Sequence, residues 1–187
     1  MIINTLVLRM EKLIFLSLGS NLGSRETNIL GALKLIQKQV GRLEKISRFY
    51  ESEPWGFSSK NFFYNCCVSL RSSMPPLELM ERLLDIEREM GRHREGRGYG
   101  DRLIDIDMLF YGDRQMDHPE LKLPHPAMGD RRFVLAPLAE IASGIVHPVA
   151  GIPIAEMLLQ CPDRTKVVAL PDTRHQSFFN NSSSQNI

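Results

Sequence analysis

Between Leu13 and Tyr111 the hydrophobic pattern changes period in one order: strand, helix, strand, strand, helix, strand. That order limits the available folds more than any single motif does. The first strand is the apolar run Leu13 to Leu18, ending in the turn residues Gly19-Ser20-Asn21. From about Arg25 to Val40, the residues Ile29, Leu30, Leu33, Ile36 and Val40 keep a helical period, and Gly41 supplies the stop. Ile46 to Tyr50 reads as the second strand. Ser, Pro and Gly then break all periodicity between Ser52 and Asn61, a loop that also holds Trp55. In Phe62 to Leu70 the alternation puts Phe63, Asn65 and Cys67 on one face, and Tyr64, Cys66, Val68 and Leu70 on the other. Pro75-Pro76 opens a second helix with Leu77, Met80, Leu83, Leu84, Ile86 and Met90 at helical spacing, closed by Gly91. After a polar loop from Arg92 to Asp101, Leu103 to Tyr111 is the fourth strand. The pattern predicts an α+β fold of the ferredoxin-like sandwich type, an antiparallel sheet with helices packed on one face.

The 187 residues are 43% hydrophobic and 24% charged, enough for one domain with a real core, expected over residues 1–171. Lys and Arg number 23 against 22 Asp and Glu, so no overall charge draws the chain to nucleic acid or an anionic membrane. Cys66, Cys67 and Cys161 form neither a disulfide framework nor a metal-binding CxxC pattern, which points to a reducing cytoplasm. Met1 to Leu18 is apolar, yet Arg9, Glu11 and Lys12 interrupt it and no small-residue cleavage pattern follows. Met10 can serve as a start, with residues 1–10 an extension, and no later stretch reaches transmembrane length. Beyond the fourth strand, Leu123-Pro124-His125-Pro126 is an extended segment before a short helix near Arg131 to Ile141. The polar tail, 172–187, is expected to be disordered.

Asp105 and Asp107 sit two apart in a strand otherwise rich in Ile, Leu and Met, so both face one side. Their Cβ atoms are then roughly 6 to 7 Å apart, close enough to bracket one divalent ion or bridge two. Without a cation the two charges repel and one pKa rises. An isolated D-x-D more often means a solvated or arginine-paired face. Here the glycine-rich loop Gly91 to Gly100 leads into it with Arg92, Arg94 and Arg97, and Arg102 follows at the strand entry. Guanidinium forks suit phosphate oxygens, and carboxylate-held Mg²⁺ beside several arginines is what phosphoryl-type transfer requires. No Walker loop and no G-x-S-x-G occurs. His125, Arg131 and Arg132 can extend the phosphate site by hydrogen bonds or charge, although a lone histidine is as often structural. Phe63 and Phe133 read equally as core or as a clamp for a flat ring whose edge meets Asn65.

At these residues the chain resembles the 6-hydroxymethyl-7,8-dihydropterin pyrophosphokinases, ATP-dependent enzymes of folate biosynthesis. The resemblance runs from about Leu13 to Ile141. It rests on Gly19-Ser20-Asn21-Leu22, Phe63-Tyr64-Asn65, Ile86-Glu87, Gly91-Arg92, Asp101 to Leu109, Pro124-His125-Pro126 and Arg131 to Leu138. It implies two Mg²⁺ ions between Asp105, Asp107 and the ATP phosphates, with the pterin hydroxyl attacking the β-phosphorus and AMP leaving. It further implies Arg92 and Arg102 as catalytic beside the two aspartates, and Arg92, Arg94, Arg102, His125 and Arg131 at ATP. The pterin is expected between Phe63 and Phe133, with its polar edge at Asn65 and the loop at Ser52 to Trp55, and the enzyme is expected to work as a monomer. The chain departs from the usual pattern at Tyr99, where Trp is common, at Asp101, where Pro is common, and at Lys60; the Asp101 carboxylate lowers the local positive charge.

Two other readings share some of these features. RNA-binding modules of the RRM type have the same element order, but no RNP-type aromatic string occurs and the charge is near neutral. A nucleotidyl transferase could use the same D-x-D pair, and would release pyrophosphate instead of attaching it to the acceptor.

Overall fold

The computed structural model describes residues 10–92 and 100–171. Its central strand, β1 (Lys12–Ser20), is buried over Ile14 to Ser20, because it has a strand on either side, helices over one face and helices over part of the other. That explains an apolar run in place of a half-polar alternation. The remaining elements are α1 (Arg25–Gln39), β2 (Arg42–Ile46), β3 (Tyr50–Ser52), β4 (Phe63–Ser72), α2 (Pro76–Glu89), β5 (Asp105–Tyr111), the hairpin β6 (Met116–His118) and β7 (Leu121–Leu123), α3 (Arg132–Ala142), α4 (Ile154–Gln160) and β8 (Val167–Ala169). The main sheet runs β5-β1-β4-β3-β8, with β2 beside β3 on the same edge of β4, and every pairing is antiparallel. The α+β sandwich expected from the element order is the one observed.

On one face, α1 and α2 lay Ile29, Leu33, Ile36, Leu79, Leu83 and Ile86 over Ile14, Leu16, Leu18, Val68 and Leu70. Each such fully buried aliphatic side chain contributes about 1.5–3 kcal/mol. The chain after Tyr111 adds what the pattern through that residue did not include. Helices α3 and α4 cover part of the opposite face, packing Val134, Leu135, Leu138, Ile154 and Met157 against Phe15, Cys67, Leu109 and Phe110. Tyr50 Oη donates to Glu140 at 2.6 Å and fastens α3 across β3. An amphipathic pattern says that a helix has a buried side, not which sheet face receives it.

Two local devices differ from the sequence expectation. The strand expected over Ile46 to Tyr50 is instead the gap between β2 and β3. Pairing with β4 slips by one residue between Ile46↔Val68 and Tyr50↔Asn65. The Ser47 hydroxyl accepts the Cys67 N–H at 2.9 Å across that slip, so a side chain stands in for a ladder carbonyl. In β5 a bulge leaves Leu109 without a partner, since Phe15 pairs with Phe110 while Leu16 pairs with Met108.

Gly41 ends α1 through close approach: a Cβ there would stand 2.2 Å from the Arg71 carbonyl oxygen. Gly91 ends α2 with φ of +87°, the left-handed turn that glycine adopts without strain. Replacing Gly41 by Ala is expected to cost about 1–3 kcal/mol, the range for overpacking a filled site, read as a lower midpoint in urea unfolding.

Candidate active site

The part of the second face that α3 leaves uncovered forms the floor of a cavity of about 220 Å³. Register decides which side chains meet there. Ser17 pairs with Asp107, Gly19 lies between Asp105 on one side and Asn65 on the other, and Ser52 pairs with Phe63. The small residues Ser17 and Gly19 keep the centre low, dividing a charged half on β5 from an amide and aromatic half on β4.

In the charged half, three elements bring cations to the two aspartates. The Gly91 turn at the end of α2 delivers Arg92, whose guanidinium engages both Glu87 and Asp105. Glu87 is 2% exposed, and its Oε1 also accepts the Ile106 N–H at 2.7 Å, so this buried carboxylate is met by a guanidinium and a backbone donor. Arg102, at the entry to β5, places Nη1 3.1 Å from Asp105 Oδ2. Arg131, just before α3, places Nη1 3.6 Å from Asp107 Oδ2.

His125 Nε2 stands 3.9 Å from the same Asp107 oxygen. Its backbone N–H is held at 3.0 Å by the carbonyl of Leu109, the bulged residue. Burial first, and the Arg131 charge second, push the His125 pKa down to about 4. The protein's own groups therefore favour the neutral imidazole near pH 7, with Nε2 as the ring nitrogen facing Asp107.

Asp107 shows the opposite shift. Its side chain is 32% exposed to solvent, yet it is ringed by protein at the cavity floor. Burial, then the neighbouring Asp105 charge, push its pKa up to about 7 against the pull of Arg131. Among the described residues no three His, Cys, Asp or Glu side chains gather as a ready metal cage. The aspartate pair supplies hard oxygen donors, and the remainder of a magnesium shell has to come from phosphate and water, as is usual for nucleotide-bound magnesium. The donor set fits that ion.

The aromatic half is built on Asn65 and four rings. Asn65 is buried and its Nδ2 donates to Ser52 Oγ at 2.9 Å, which leaves Oδ1 beside Gly19. Phe63 meets Phe57 edge-on at 6.2 Å, while Phe133 in the first turn of α3 lies 6.4 Å from Trp55. Arginines link the two halves: the Arg131 guanidinium carbon is 4.9 Å from the Trp55 ring centre, and that of Arg102 is 5.5 Å from Phe63. Apart from Arg132, every described residue nominated from sequence as catalytic, metal-binding, ATP-binding, phosphate-binding or substrate-binding lines this one cavity. Arg132, the next residue after Arg131, is outside the lining, and its backbone N–H is held by Asp163 at 3.1 Å. Arg94 lies outside the described residues. The sequence reading gave no role to Ser17, Gly19 or Glu87. The first two share the parity of Phe15 along β1, a signal that pointed to the α3 face.

The fold and this cavity are those of an enzyme that handles a phosphorylated nucleotide beside a flat ring. The family described as 7,8-dihydro-6-hydroxymethylpterin-pyrophosphokinase (HPPK) matches residues 15–143. A 2-amino-4-hydroxy-6-hydroxymethyldihydropteridine pyrophosphokinase of Porphyromonas gingivalis is 46% identical over 144 residues, covering 75% of this chain and 97% of that protein. One from Synechocystis is 41% identical over 144 residues, covering 76% and 73%. Among solved structures, an HPPK-DHPS in complex with substrates superposes with a TM-score of 0.68 at 15% identity, over 81% of this chain and 43% of that longer one. The chain belongs to the 7,8-dihydro-6-hydroxymethylpterin pyrophosphokinase family. It is a magnesium-dependent enzyme that transfers diphosphate from ATP to the pterin hydroxymethyl group in folate biosynthesis, releasing AMP.

Two outcomes follow from this geometry. A carboxyl whose folded pKa is raised holds more protons folded than unfolded between about pH 4 and about pH 7, so it takes stability away as pH rises through that window. In chelator-containing buffer Asp107→Asn should therefore melt above the parent at pH 8, with the gap narrowing toward pH 5. A Cβ at Gly19 would lie 3.2 Å from Asn65 Oδ1 and 3.6 Å from Phe63 Cδ1. Gly19→Ala is expected to raise KM for the pterin several-fold and leave KM for ATP near its parent value, read by steady-state kinetics.

Proposed function

We propose that Asp105 and Asp107 hold two magnesium ions together with the ATP phosphates, that Arg92, Arg94, Arg102, His125 and Arg131 bind those phosphates, and that Phe63 and Phe133 clamp the pterin. One observation carries this reading: two carboxylates on one strand face, approached by three guanidiniums, share a cavity floor with a buried amide and aromatic rings. When bound, magnesium neutralises phosphate charge and draws the electrophilic phosphorus and its leaving group into line.

The protein's own groups supply position and charge. A guanidinium has five N–H donors, so engaging one carboxylate leaves others for phosphate oxygens. Arg102 Nε is buried and lacks a hydrogen-bond partner among the described residues, a donor in reserve. His125 offers a hydrogen bond to the phosphates from Nε2, the ring nitrogen nearer Asp107. Across the floor, Asn65 and Ser52 offer an amide and hydroxyl edge for the pterin, and Trp55 and Phe133 cover its face. The acceptor hydroxyl oxygen then forms its bond to the β-phosphorus and gives up its proton to solvent, while the bond from that phosphorus to the α-phosphate oxygen breaks and that oxygen leaves with AMP. The whole reaction is orientation and charge balance, with no covalent enzyme intermediate.

None of the described helices is long and apolar enough to cross a membrane, and Cys66, Cys67 and Cys161 are buried free thiols. The buried free thiols support action in a reducing cytoplasm, and we take the working unit to be one catalytic domain acting as a monomer.

Asp105→Ala and Asp107→Ala are each expected to lower AMP formation by about a hundredfold to a thousandfold, the scale of losing a preorganised charge contact, with the far-UV circular dichroism unchanged. Near-parental turnover in both would overturn the metal assignment, and ADP in place of AMP from the parent would overturn the reaction.

A further inference from the structure

Asp101, in the segment entering β5, is outside the cavity lining and outside the charge scheme above. Its two oxygens face two different loops. Oδ1 accepts from Asn21 Nδ2, in the turn after β1, at 2.6 Å, and Oδ2 accepts from Asn61 Nδ2, in the loop between β3 and β4, at 2.8 Å. The Asn21 amide closes the circuit: Nδ2 also reaches the Asn61 carbonyl at 3.3 Å, and Oδ1 accepts the Arg102 backbone N–H at 2.7 Å. The Asn21 backbone N–H in turn donates to the Arg102 carbonyl at 3.1 Å. Hydrogen bonds from Ser59 first, and then from Asn21 and Asn61, hold the Asp101 carboxyl below its usual range. Three segments far apart in sequence thus meet at one carboxylate.

Two cavity residues hang from this junction. Arg102 is the next residue along the chain, with its guanidinium between Asp105 and the Phe63 ring. Its Nη1 reaches Asp105 while its Nε makes no hydrogen bond among the described residues, so the hold on the backbone at residue 102 adds to that one contact in setting its direction. Trp55 belongs to the loop that Asn61 ties down. We propose that Asp101 is a positioning residue, whose carboxylate clasps the β1–α1 turn and the β3–β4 loop to the strand entry and so sets Arg102 and Trp55 over the cavity. The proposal rests on the assignment of Arg102 to the phosphates.

The clasp can be inverted without loss of charge. In Asp101→Asn/Asn61→Asp the donor and acceptor of one bond change places, and the new residue at 101 keeps an oxygen for Asn21. Asp101→Ala, Asp101→Asn and Asn61→Asp are each expected to lower kcat about tenfold, within the range that small misplacements cost, and the double exchange to recover most of it. Trp55 is the only tryptophan in the chain, so acrylamide quenching of its emission reads the loop without turnover. Quenching should rise about twofold in the single variants, on the scale of a loop freed from its tether, and fall back in the double exchange. Parental kcat and quenching in the single variants, or a double exchange no better than the poorer single, would overturn the clasp. A parent that forms no AMP would instead refute the site assignment, while the quenching arm would still report on the clasp.

Discussion

Two like charges placed on one face of a strand, at the edge of a hydrophobic sheet, are the constraint around which this protein is organised. Strand pitch holds Asp105 and Asp107 roughly 6 to 7 Å apart, too close for both to ionise freely at a site lined by protein. Cations answer from three directions: the end of α2, the entry to β5 and the start of α3. Each of those elements is packed so that its terminus, not its middle, reaches the pair. Helix α3 stops short of the aspartate pair, since covering it would strip the carboxylates of solvent.

The same geometry explains why the two faces of the sheet differ. Under α1 and α2 the surface is apolar along its length, and its residues serve packing alone. The other face is divided, with Phe15, Cys67 and Phe110 dry beneath α3 and Ser17, Gly19 and Asn65 open to the cavity. Small and polar residues in strands that otherwise read as core mark the boundary between the two halves.

Much of this was legible in the sequence. The period of two places Asp105 with Asp107, and Phe63 with Asn65, on shared strand faces. Arg92 and Arg102 were nominated because they flank that strand in the chain. What could not be read was anything set by register between distant segments. Gly19 matters because it lies between Asp105 and Asn65, and Glu87 because α2 ends against Ile106. Asp101 looked like a local loss of positive charge, since its partners Asn21 and Asn61 are 80 and 40 residues away. The break between β2 and β3 was hidden because Ser47 replaces a backbone partner with its hydroxyl, and hydrophobic spacing does not register such a substitution.

The bulge at Leu109 gives β5 two reading frames. Ahead of it, odd-numbered residues face the cavity and Ile106 and Met108 face the helices; past it, Phe110 and Tyr111 have exchanged those roles. Without the extra residue, one frame would have to serve both halves, and seating Phe110 beneath α3 would turn both aspartates into the apolar side. Leu109 thus works as a phase shifter. It separates the apolar half of the strand from the half that carries the two aspartates, so that seating Phe110 beneath α3 does not set the direction in which the carboxylates face.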